Sequence, residues 1–202
     1  MILALAEALS ISIPTECTSA QNAPLRQAIA AVVRATTTDW TEAFAARSLS
    51  YIPPRLNFLC PPVGHPSRGS GYYPGLGLAL DLGDFAGIEH ALPAEALGIW
   101  KLIIAHEIGH HVQSLAGSEA AADEPRELQA DCYAGWWLAR GDQVRDLDQI
   151  RGRLAKAVQI LSALQTGAIR LGADSAEGSP GSLDERLEAI GRGMTAATPW
   201  AC

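Results

Sequence analysis

HEIGHH, residues 106–111, lies inside an otherwise apolar stretch, IWKLIIAHEIGHHVQSL (99–115). The spacing predicts a core helix from about Ala94 to Leu115, closed by Gly117 and the acidic run that follows it. His106 and His110 are four residues apart, so on that helix they project from one face. Two imidazoles so placed offer ring nitrogens to a single Zn2+, and Glu107 stands beside them within reach of a water at the metal. His111 adjoins the motif but points about a hundred degrees away, which argues against its being a ligand.

A catalytic zinc takes three protein ligands and keeps one position open. The third ligand is sought in ELQADCYAG (127–135), on a second helix running from about Pro125 to Arg140. Glu127 and Asp131 again stand four apart. Glu127 can ligate the metal, and Asp131 can accept the N–H of a ligand histidine, fixing its tautomer. The turn between the helices, Ser114 to Glu124, is long enough to fold the second back on the first. Asp123 and Glu124 are rival third ligands, placed on that turn. Two acids at this spacing are common on solvated faces. It is their order after H-E-x-x-H, with apolar flanks, that makes the pair specific. A helical protein without metal is the plain alternative.

Around these helices the chain reads as one mostly helical α+β unit with a small sheet before the motif helix. Residues 24–47 predict a helix begun by Pro24 and broken near Thr36–Thr38. Residues 55–60 and 76–82 predict short strands, separated by a Gly/Pro-rich loop, PPVGHPSRGSGYYPG. A helix over 143–170 follows, and Ser182 with Glu185 forms a capping box for a last helix carrying Leu183, Leu187, Ile190 and Met194. His65 and His90 read as solvated loop residues, and Trp100, Trp136 and Trp137 as core or pocket wall. Residues 1–21 form an N-terminal segment, either an anchor remnant or an arm packed on the domain formed by 22–202. Glu7 and the lack of basic residues make it a poor secretion signal.

In 202 residues the net charge is −7, with no basic cluster, which argues against a nucleic-acid or anionic-membrane surface. No apolar run is long enough to cross a bilayer, so any membrane association would run through the N-terminus or residues upstream of it. Cys17, Cys60, Cys132 and Cys202 form no C-x-x-C pair. They are open to two disulfides in any of three pairings, or to buried free thiols.

HEIGHHVQSLAG and RELQADCYAGWW together closely resemble the neutral zinc metallopeptidase family of bacteria, with its HE-x-GHHVQ and ELQADC-x-AG helices. The E-x-x-A-D element is also similar to that of CAAX prenyl endopeptidases. The resemblance implies a zincin-like fold and zinc held by His106, His110 and Glu127. It implies Glu107 as general base and Asp131 as the partner behind a ligand. It further implies an edge strand near 76–82, against which an extended peptide or unfolded protein substrate could lie. Relatives are commonly exported or held in the cell envelope.

Two departures from the family pattern stand out. Pro180, in SPGSLDER, occupies the place of a family histidine, while Arg186 is kept. Arg186, Tyr72 or Tyr73 is then left to stabilise charge developing on a substrate carbonyl. Tyr73 replaces a cysteine found before the proline in relatives, which implies a different disulfide pattern. Peptide hydrolysis is the reading these residues favour. The alternative is a non-catalytic zinc-binding scaffold or interaction module of the same fold, which Pro180 favours and Glu107 opposes.

Overall fold

The computed structural model describes residues 11–12, 17, 20–60, 70–117, 123–140, 148, 150–152 and 182–202. Four short strands form one sheet: β1 (Ile11–Ser12), β2 (Leu56–Leu59), β3 (Gly71–Tyr73) and β4 (Gly77–Asp81). Their order is β1-β2-β4-β3. The first three in that order run parallel, and β3 pairs antiparallel with β4. Five α-helices are described: α1 (Ala23–Ala45), α2 (Leu82–Ala91), α3 (Ala96–Ala116), α4 (Asp123–Arg140) and α5 (Leu183–Thr195). The expected mostly helical α+β class is what the chain adopts.

The sheet corrects two expectations. All five residues of β4 are buried, because β4 is an interior strand flanked by β2 and β3. Among the described strands the edges are β1 and β3, and the edge beside β4 is β3, in GYY, a segment expected to be loop; 76–82 is not an edge. Its three residues pair with β4 from Gly71↔Ala79 to Tyr73↔Gly77 across a tight turn, and a strand that short leaves little period-2 pattern to read.

Two helices also differ. α1 runs unbroken through Thr36–Thr38, because threonine hydroxyls turn back onto carbonyls one turn earlier. Thr36 donates to Val32 at 2.9 Å, and Thr38 donates to Arg34 at 3.0 Å. α2, which was not anticipated, starts straight from β4 with Asp81 as N-cap, its carboxylate accepting the Gly83 N–H at 2.8 Å. Two glycines blunt its helical propensity. Burial of Leu82, Phe85 and Ile88 outweighs that. His90 accordingly lies in a helix, though exposed.

The other helix boundaries fall close to where they were read. Gly117, at φ 62°, closes α3 in the left-handed region. The Ser182/Glu185 capping box is formed. Trp100, Trp136 and Trp137 are buried. The helix over 143–170 is described only at 148 and 150–152, where it is helical and Ile150 is buried. His65, Pro180 and the side chains of Asp123, Glu124 and Leu183 lie outside the described residues.

All four cysteines are paired, as Cys17–Cys60 and Cys132–Cys202. The first ties the N-terminal segment to the end of β2, and the second ties the C-terminus to α4. Among the described residues no helix is long and apolar enough to cross a membrane.

α4 and α5 pack backbone to backbone. A Cβ on Gly135 would collide with the Ile190 carbonyl, and one on Gly193 with the Cys132 carbonyl. Gly135→Ala and Gly193→Ala should each destabilise by about 1–3 kcal/mol or more. Gly152→Ala meets nothing within 4 Å and should change stability little or raise it. Urea unfolding of the three variants checks this.

Candidate metal centre

α3 is buried on nearly every side, and its motif supplies two i, i+4 pairs. His106 and His110 face α4, while Glu107 and His111 face β3. Gly109 permits the crossing of α4, since a Cβ there would stand 2.9 Å from the Ala130 carbonyl. That contact brings the ELQAD segment over the two histidines.

Three side chains converge. His106 Nε2 is 3.1 Å from His110 Nε2 and 3.1 Å from Glu127 Oε2, and His110 Nε2 is 3.3 Å from Glu127 Oε1. Ligands about 2.0–2.1 Å from a tetrahedral zinc stand about 3.3 Å from one another, so the spacing fits.

The tautomers make the stronger case. His106 Nδ1 lies 2.9 Å from Asp131 Oδ1, and a carboxylate can only accept. His110 Nδ1 lies 2.9 Å from Gln113 Oε1. The Gln113 amide nitrogen is already donating to the Arg126 carbonyl (2.7 Å) and to Gln129 Oε1 (2.9 Å), so its oxygen faces His110 and accepts. Both rings therefore carry a proton on Nδ1 and turn Nε2 toward Glu127. Two ring nitrogens and a carboxylate thus face one point, a group that could hold a metal ion, or a proton in its place.

The electrostatics agree. Burial pushes the His106 pKa down, but the charge and hydrogen bond of Asp131 and the hydrogen bond to Glu127 outweigh it and raise it to about 10. Without metal, a proton takes the cation's place on that ring. Burial opposes ionisation of Glu127 and Asp131, yet their hydrogen bonds and opposite charges hold both well below the usual carboxylate range. His106, Glu127 and Asp131 are all buried, and His110 is partly so.

Behind the histidines lies a support the sequence reading assigned differently. Arg186, expected near the substrate carbonyl, instead grips Asp131 side-on: Nε donates to Oδ2 at 2.7 Å and Nη2 to Oδ1 at 2.8 Å. It sits on the Nδ1 side of His106, away from the ligand atoms. Glu107, also buried, accepts the Tyr72 backbone N–H on Oε2 at 2.8 Å. The Tyr72 ring packs at a tilt against His111, and Tyr73 is exposed at the sheet edge. Sequence reasoning missed Gln113 and the Tyr72 N–H. A glutamine three residues after His110, inside a buried helix, was a legible signal for the first. A backbone donor leaves none.

An H-E-x-x-H helix crossed by a Glu-x-x-x-Asp helix, with both histidines anchored from behind, makes a buried group that could hold a metal ion. Over residues 6–202 the chain matches the family described as "Putative neutral zinc metallopeptidase", and it belongs to that family. It is 32% identical over 130 residues to the uncharacterized protein YpfJ of Escherichia coli strain K12, covering 52% of this chain and 45% of that one. It is 40% identical over 55 residues to the uncharacterized protein Mb2605 of Mycobacterium bovis, covering 22% of this chain and 19% of that one. The chain thus spans less than half the length of these curated relatives. No solved structure matches it.

Two outcomes test the supports. Gln113→Leu should weaken zinc binding about 10–100-fold in a chelator competition. Arg186→Met strands the buried Asp131 charge and should destabilise the protein by about 3–5 kcal/mol in denaturant unfolding.

Proposed function

We propose that this chain is a zinc-dependent peptidase of zincin-like fold acting on peptides or unfolded protein. The observation that carries the reading is the convergence of His106 Nε2, His110 Nε2 and the Glu127 carboxylate beside a second buried carboxylate, Glu107. His106, His110 and Glu127 would hold the zinc. Zinc bound there supplies a Lewis acid, which polarises a scissile carbonyl and acidifies water.

The chain's own residues do the rest. Glu107 takes a proton from the attacking water and returns it to the leaving amine. The Tyr72 N–H holds Oε2, which leaves Oε1 for the proton. Asp131 and Gln113 keep both ligand rings in the tautomer that presents Nε2. An extended peptide would lie beside β3, the edge strand that meets Glu107. The two disulfides support an oxidising compartment such as the cell envelope.

The scaffold reading draws support from Arg186, whose commitment to Asp131 removes the expected cationic donor. Glu107 weighs against it, because a purely structural site has no use for a buried carboxylate one residue from its ligands.

Purified protein should carry one zinc per chain, and Glu127→Ala should lose most of it. Glu107→Gln should keep the zinc and lose about a hundredfold to ten-thousandfold in turnover of an unfolded protein substrate. Zinc without hydrolysis in the wild type would favour the scaffold. No zinc after reconstitution would end both readings.

A further inference from the structure

His111 takes no part in the reading above, yet it is one of the best-placed side chains in the motif. Glu107 and His111 stand four apart on α3 and share the face that meets β3. Tyr72 touches both. Its backbone N–H donates to Glu107 Oε2 at 2.8 Å, and its ring lies 5.2 Å from the His111 ring at 59°. On another side the Tyr51 ring meets His111 edge-on at 5.7 Å. His111 Nε2 lies 2.7 Å from the Ile52 carbonyl, which can only accept, so Nε2 carries the proton.

That arrangement is not a neutral way to fill space. His111 Nδ1 is buried without a hydrogen bond. A leucine or phenylalanine would fill the same volume and strand no nitrogen. What only the histidine brings is a flat ring pinned at its far end to the 51–52 backbone. β3 needs such a support, since it is three residues long and sits at the edge of the sheet.

We infer that His111 is a positioning residue for the general base: pinned to Ile52, its ring fixes Tyr72 so that the β3 backbone N–H orients Glu107. The inference rests on the peptidase reading for its catalytic meaning and on geometry alone for its structural meaning. It acts through Tyr72 and supplies nothing to the metal ligands.

The test uses the whole zinc-loaded chain as wild type, His111→Leu and His111→Phe. Zinc content, kcat and KM on an unfolded protein substrate, and hydrogen exchange of individual amides are measured. Both variants should keep the wild-type zinc content. His111→Leu should lower kcat about tenfold or more with KM within about twofold, and should speed exchange of the Tyr72 amide about tenfold while Leu80 in β4 is unchanged. His111→Phe, which keeps a ring but not the anchor, should fall between Leu and wild type. Wild-type kcat and Tyr72 exchange in His111→Leu would overturn the inference, as would loss of zinc, which would place the effect on the ligands. If His111→Leu does not fold, unchanged Tyr72 exchange in His111→Phe overturns it. If the wild type hydrolyses nothing, the peptidase reading fails and the Tyr72 exchange rates decide the positioning role alone.

Discussion

Three acceptors aimed at one point are the constraint on which the rest of this structure depends. His106 Nε2, His110 Nε2 and Glu127 stand 3.1–3.3 Å apart, with Asp131 and Gln113 fixing the rings from behind. Without a metal ion or a proton between them they would repel. They are held together because α3 and α4 cross at Gly109 and Ala130, where a side chain on Gly109 would force the helices apart. α4 is in turn clasped by α5 through Gly135 and Gly193 and by the Cys132–Cys202 bond. The helical layer is thus a frame that keeps mutually unfavourable groups in register.

The charges are balanced inside that frame. Glu127 and Asp131 are held ionised by their partners, and Arg186 meets Asp131 with a positive charge. Arg186 is best understood in that balance. Placed beside the substrate it would have left Asp131 as an uncompensated buried charge. Placed where it is, it lets Asp131 stay ionised behind His106, which keeps Nδ1 as the donor to Asp131 and turns Nε2 toward Glu127.

Most of the site was legible because helix geometry converts sequence spacing directly into shared faces. The i, i+4 pairs His106/His110 and Glu127/Asp131 needed only a helix and a crossing, and both are present. The role of Arg186 was not legible. A guanidinium suits a substrate oxyanion and a buried aspartate equally, and only tertiary packing of α5 on α4 chooses between them. β3 and the Tyr72 N–H were invisible for a different reason: three extended residues carry no readable period, and a backbone donor has no letter of its own. α2 was lost because Gly83 and Gly87 lowered its propensity while burial of Phe85 and Ile88, a tertiary effect, formed it. The α1 break was over-read because Thr36 and Thr38 satisfy their hydroxyls within the helix.

The doubled histidine of HEIGHH follows from these two faces. In the proposed reading one helix presents ligands toward α4 and a base toward β3, and residues one apart on a helix diverge by about a hundred degrees. Placing His106 beside Glu107, and His110 beside His111, assigns each neighbouring pair to different partners. The distance between base and ligands is then set by one turn of a buried helix, rather than by a loop. A site built on a rigid element holds its geometry more closely than one assembled from loops. Among the elements that meet α3, β3 has a single neighbour in the sheet, so the orientation of Glu107 depends on what presses that strand against the helix.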